Sequence, residues 1–143
     1  RWDPFIAKVE ARMTEVLGID NSFAETMQGQ RYQVGQEFKA HHDFFHPSQS
    51  YWDQEGPAGG QRTWTAMIFL NEPEEGGTTE FPHLQIGVRP QTGMMLIWNN
   101  VNLDGTLNYK SLHTGTPVVK GVKHIITKWY RQNNWLELTT GKG

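Results

Sequence analysis

Apolar residues near the start of the chain recur at helical spacing. Phe5, Ile6, Val9, Met13, Val16 and Leu17 fall on one stripe of a 3.6-residue period. The pattern predicts an amphipathic helix over residues 4–17, with Asp3 as N-cap, Pro4 at the first helical position and Gly18 as the stop. Beyond Asn21 the texture changes to short apolar runs and alternations. These predict strands over residues 26–34, 37–43, 62–70, 78–81, 84–88, 94–98, 117–119 and 123–131. Turn chemistry separates most of them, at Gly35, 56–60, 71–77, 90–93 and Asp104-Gly105. No repeat period is visible. Such a series behind one leading helix predicts a mainly β fold, a closed or double-sheet architecture such as a jelly roll. Two predicted loops, 46–61 and 99–112, have a length that in compact domains usually marks function or mobility.

Composition sharpens this picture. At 143 residues the chain is expected to form one domain over 1–143, burying about two-thirds of its unfolded surface. The 15 glycines and seven prolines favour strands and turns over a helical bundle. Net charge is −2 with no block of like charge, so nothing points to nucleic acid or an anionic membrane as partner. The lack of cysteine removes disulfides, thiolate metal sites and thiol nucleophiles, and is compatible with a reducing, cytoplasmic setting. No apolar run reaches transmembrane length and no leader is visible; the chain opens on Arg1, which reads as a catalytic region trimmed of an N-terminal segment. Six Trp, seven Phe and four Tyr exceed what the core needs. Tyr51, Trp52, Trp64, Trp98, Tyr109 and Trp129 are candidates for a groove, about half of them expected to be packing residues.

Candidate chemistry begins at His41 and Asp43. Two residues apart on a predicted strand, their side chains share a face while His42 points away. An imidazole beside a carboxylate makes two-thirds of a 2-His-1-carboxylate site, which leaves metal positions open for co-substrate and oxygen. Alone, His-x-Asp is a weak signal. His113 offers a third ligand, and Lys123 follows ten residues later among Val122, Ile125 and Ile126, where an unpaired ammonium is costly to bury. A bound carboxylate would resolve that conflict. His42, His46 and His83 are read as structural, and Glu74 and Glu75 as a solvated loop.

The stretch YQVGQEFKAHHDFF, the turn EEGGTTEFP and the block SLHTGTPVVKGVKHIITKWYR together resemble the prolyl 4-hydroxylase family of iron(II)/2-oxoglutarate-dependent dioxygenases, in order from about Phe5 to Trp135. The resemblance implies a double-stranded β-helix (jelly-roll) core with the leading helix. It implies His41, Asp43 and His113 as ligands of Fe(II), Lys123 as partner of the distal carboxylate of 2-oxoglutarate, and Tyr32 and Thr79 as residues lining that pocket. It also implies Glu25, Arg62 and Trp129 as substrate-binding positions. O2 would be the second co-substrate, ascorbate the reductant, succinate and CO2 the products, and a proline-rich or collagen-like peptide the substrate and partner. This sequence departs from the family at Thr78, where an acidic residue is usual, at His124 and Arg131, where relatives vary, and in the 46–61 loop. Two alternatives stand beside it. One is the same chemistry on a free amino acid, with Glu25 and Arg62 as a clamp, or on another small molecule. A non-catalytic metal- or glycan-binding β-barrel would leave Lys123 and the ordered motifs unexplained.

Overall fold

The computed structural model describes residues 1–141. Its first helix, α1 (Pro4–Leu17), has the predicted bounds. Asp3 caps it by accepting from the backbone N–H of Phe5 at 2.8 Å and of Ile6 at 3.2 Å. Gly18 closes it in the left-handed conformation at φ 70°, a geometry that disfavours any residue with a Cβ. The buried line of the helix runs through Val9, Met13 and Leu17, which pack on Ala24, Ala66 and Tyr130. Phe5 and Val16, expected on the stripe, are instead exposed.

The reason is an ion pair. Glu10 lies on the buried line between Ile6 and Met13, and its carboxylate meets Lys128 beneath the helix, where both are almost fully buried. Asn21 Nδ2 donates to the other carboxylate oxygen at 2.9 Å. Burial works to raise the Glu10 carboxyl, but the ammonium and Asn21 outweigh it and hold it low. Breaking one partner of such a pair costs about 3–5 kcal/mol, whereas replacing both with apolar residues of similar volume is often neutral. We expect Glu10→Ala to lose about that much in urea unfolding, and the double variant Glu10→Met/Lys128→Met to unfold close to wild type.

Ten strands follow the helix: β1 (Gln28–Tyr32), β2 (Phe38–His41), β3 (Arg62–Phe69), β4 (Glu75–Gly76), β5 (Thr79–Phe81), β6 (Ile86–Val88), β7 (Met95–Asn99), β8 (His113–Gly115), β9 (Val118–Lys120) and β10 (Lys123–Arg131). Two short helices, α2 (Trp52–Glu55) and α3 (Trp135–Thr140), complete the order. One antiparallel sheet runs β1-β10-β3-β7, a second runs β2-β8-β5-β6, and β4 pairs with β9. Met67, Phe69, Trp98 and Ile125 from the first sheet pack with Phe81 from the second, so the core lies between the two. This is the double-stranded β-helix. Four strands and helices were not predicted or were read as loops: β4, β8, α2 and α3. β8 is His-Thr-Gly, too short to show alternation; its strand character comes from pairing with β2 on one side and β5 on the other.

Period-two alternation in the first sheet sets up everything that follows. Lys123, Ile125, Thr127 and Trp129 of β10 face the inter-sheet cavity, while Lys128 and Tyr130 face α1. In β3, Thr65, Met67 and Phe69 are likewise in phase, which puts Trp64 with Ala66 on the opposite, helix-side face. Trp64 is therefore not a groove residue. Among the described residues no helix is long and apolar enough to cross a membrane.

Candidate metal centre and its cavity

His41 closes β2 and sits directly across from His113, the first residue of β8. Asp43 lies two residues past the end of β2, in a bend rather than in the strand predicted there. The bend still returns its carboxylate to the histidines. Asp43 Oδ1 is 3.3 Å from His41 Nε2 and 3.5 Å from His113 Nε2. One ligand atom from each of the three residues lies within 4.8 Å of the others, the one such group among the described residues. Asp43 and His113 are buried; His41 is half-buried and forms the open edge.

The second nitrogens fix the rings. His41 Nδ1 is 2.7 Å from the Lys39 carbonyl and His113 Nδ1 is 2.8 Å from the Ser111 carbonyl, so each Nδ1–H donates to backbone and each Nε2 is turned to Asp43. Metal-ligating histidines almost always carry such a partner on the other nitrogen. Burial pushes the Asp43 carboxyl up, yet the His41 hydrogen bond, the His113 charge and the Thr65 hydroxyl together hold it at about 2. Burial lowers the His113 imidazole, with Asp43 working the other way, so it favours the neutral form a metal needs. Two imidazole nitrogens and one carboxylate converging within 4.8 Å fit a divalent cation.

Beside the triad is a cavity of about 310 Å³. Tyr32, Thr79 and Lys123, the three residues expected around a co-substrate, all line it. Lys123 is 3% exposed and makes no ion pair among the described residues. Its Nζ lies 5.7 Å from the Tyr32 ring and 5.6 Å from the Phe69 ring, and burial pushes its pKa down to about 8. Tyr32 is its register partner on β1, and burial pushes that phenol up. The glycine-rich turn explains how the chain passes this lysine. At Gly76 (φ 78°) a Cβ would stand 2.3 Å from the Pro117 carbonyl, and at Gly77 (φ 69°) it would crowd the Lys123 stem at 3.2 Å.

The other wall holds Arg62 and Trp129. The Arg62 guanidinium lies 4.1 Å from the Trp129 ring and 4.8 Å from the Phe45 ring, and pairs in a fork with Glu25 at 2.7 and 2.8 Å. Glu25 itself does not line the cavity. Its oxygens are taken by Arg62 and by Arg131 at 3.1 Å, so it stands behind the wall rather than facing a substrate. Arg131, fully buried, also binds Glu55 of α2 at 3.0 Å and the Gly60 carbonyl at 3.0 Å, which fastens the 46–61 loop to β10. Of the groove candidates, Trp98 and Trp129 line the cavity, with Trp98 largely a core residue. Tyr109 is exposed and packs edge-on to His42 and Phe44, while Tyr51 and Trp52 pack against Phe45. His42, read as pointing away, lies at the cavity rim. Phe45, Thr65 and Asn100 were not singled out from sequence.

Comparison with known proteins gives the family. The model of the 2OG-Fe(II) oxygenase superfamily matches residues 27–131. Prolyl 4-hydroxylase subunit alpha-2 of Gallus gallus is 31% identical over 91% of this chain and 24% of its own length. Prolyl 4-hydroxylase 13 of Arabidopsis thaliana is 30% identical over 91% of this chain and 51% of its own. The chain thus spans about half or less of the curated relatives it matches. A truncated form of the viral collagen prolyl hydroxylase of Paramecium Bursaria Chlorella virus-1 superposes with a TM-score of 0.74 at 29% identity, covering 90% of this chain and 69% of that one. The chain belongs to the 2OG-Fe(II) oxygenase superfamily, and its relatives there are prolyl 4-hydroxylases.

Proposed function

We propose that the chain is an iron(II)- and 2-oxoglutarate-dependent dioxygenase that hydroxylates prolyl residues in a proline-rich peptide. The observation that carries this reading is the shared cavity. Three convergent metal donors open onto a space whose wall holds a buried ammonium with no counter-charge among the described residues. Iron(II), 2-oxoglutarate and O2 bound there would supply oxidative decarboxylation to succinate and CO2, coupled to hydroxylation of a substrate C–H bond. The protein's part is positioning and the exclusion of water. His41, Asp43 and His113 would hold the metal. Lys123 and Thr79 orient the distal carboxylate, and Tyr32 closes the apolar side of that pocket. Arg62, locked between two aromatic rings by Glu25, presents a fixed edge beside Trp129 for a peptide, whose polyproline II form offers flat rings and unpaired carbonyls. Glu25 acts here through Arg62.

The free-amino-acid reading needs Glu25 as a clamp for the amine, and its carboxylate is already held by two guanidiniums. A direct comparison separates the two. With iron(II), 2-oxoglutarate and ascorbate, we expect a proline-rich peptide to release succinate and gain a hydroxyl by mass spectrometry, while free L-proline leaves succinate at background. Hydroxylation of the free amino acid alone would sink the peptide reading.

A further inference from the structure

Asp43 uses its two carboxylate oxygens differently. Oδ1 faces both histidine Nε2 atoms, while Oδ2 lies 2.7 Å from the hydroxyl of Thr65. Thr65 is fully buried on the cavity-facing side of β3. An ionised carboxylate only accepts, so the Thr65 hydroxyl must donate to it. That choice leaves the Thr65 oxygen as an acceptor, and Asn100 Nδ2 fills it at 2.8 Å. The same logic settles the amide orientation of Asn100, whose side-chain oxygen Oδ1 is buried with no partner among the described residues. The order of donation is therefore Asn100 to Thr65 to Asp43.

Asn100 is also the base of the 99–112 loop. Its N–H donates to the Thr63 carbonyl at 2.8 Å, and its carbonyl accepts from Asn108 N–H at 2.9 Å. The Asn108 carbonyl accepts from the Ser111 hydroxyl at 2.7 Å, and the Ser111 carbonyl accepts from His113 Nδ1 at 2.8 Å. One buried asparagine thus stands behind two of the three candidate ligands, by separate routes.

We infer that Thr65 and Asn100 are positioning residues that hold Asp43 to a single metal-facing oxygen. The inference deepens the metal-centre reading above and rests on it. Released from Thr65, the Asp43 carboxylate is free to rotate and is no longer held ready for a cation, so it would have to be ordered when the metal binds. Hydrogen-bond partners of metal ligands typically change affinity by about 10–100-fold when removed.

The test uses cobalt(II) alone, titrated into the metal-free protein by calorimetry, with the visible spectrum of the cobalt complex as a second readout. Thr65→Val keeps the shape and removes the hydroxyl; Thr65→Ser restores it. We expect Thr65→Val to bind cobalt(II) about 10–100-fold more weakly with shifted visible bands, and Thr65→Ser to retain wild-type affinity and bands. Asn100→Leu, which leaves the Thr65 contact in place, should weaken binding severalfold and serves if Thr65→Val does not fold. Affinity and spectrum unchanged in Thr65→Val, or in Asn100→Leu should that be the variant that folds, overturn the inference. So does equal loss in Thr65→Val and Thr65→Ser, which would mark a packing effect. Asp43→Ala distinguishes the underlying reading: if it binds cobalt(II) as well as wild type does, the metal centre is elsewhere and both readings fall.

Discussion

We expect Lys123→Met to stabilise the metal-free protein and, in the same substitution, to weaken its binding of 2-oxoglutarate severely. The two effects share a cause, the burial of an ammonium with no counter-charge in the described structure. Its pKa falls from 10.5 to about 8 on folding because burial penalises the charged form. Above 10.5 the group is neutral in both states and contributes nothing. Between 10.5 and about 8 the unfolded chain takes up a proton that the folded chain refuses, so stability declines as pH falls. Below about 8 the penalty is complete, on the order of 3 kcal/mol. Methionine, of similar length, removes it, so the gain in thermal or urea unfolding should be full at neutral pH and vanish at high pH. Against that, removing one partner of a buried charge pair costs about 2–5 kcal/mol of binding, a loss of roughly thirtyfold or more in affinity for the diacid. Isothermal titration of 2-oxoglutarate into the wild type should also weaken about tenfold per pH unit above about 8, as the lysine loses its proton. A variant that is less stable than wild type, or that binds the diacid unchanged, would remove Lys123 from its assigned place.

Asp43→Ala should reduce retained metal and 2-oxoglutarate decarboxylation to background, because two imidazoles remain without the anion that balances the cation. The check is metal content per chain after gel filtration, with succinate release measured in parallel. Acid behaviour gives an independent reading. In the metal-free protein the carboxyl sits at about 2 against an ordinary 3.8. A carboxylate depressed in this way stabilises the fold above 3.8, and the contribution is lost as pH falls through about 2. Asp43→Ala lacks that contribution, so its unfolding free energy should change less than the wild type's between about pH 4 and 2. Equal slopes for the two proteins would show that the carboxylate is not held by His41, His113 and Thr65 as described.

Much of this site was legible because its residues lie on long, strongly patterned elements. β10 has the predicted bounds, and the alternation that makes it a strand also sorts Lys123, Thr127 and Trp129 from Lys128 and Tyr130. The helix α1 was marked by its caps. What escaped is instructive in each case. β8 is too short for periodicity and exists through its neighbours. Thr65 carries no motif, yet it stands in phase with Met67 and Phe69, and a polar residue at a cavity-facing strand position was the available signal. Glu10 likewise falls between Ile6 and Met13 on the apolar stripe, a charge in a place that requires a partner. Glu25 was assigned to the substrate from its motif position, whereas only the fold shows two guanidiniums already around it.

The place of β10 between β1 and β3 has a kinetic consequence. Both of its partner strands precede it in the chain, Tyr32 pairing with Lys123 and Phe69 with Ile125. The central strand of the sheet is thus the last of the ten to leave a ribosome, and until it inserts, β1 and β3 face a gap. A slip of one residue on insertion would send Lys123 outward and bring His124 into the cavity. Sheet closure and assembly of the cavity around Lys123 are expected to be one event, so 2-oxoglutarate binding during refolding should appear with the slow, long-range phase and not before it.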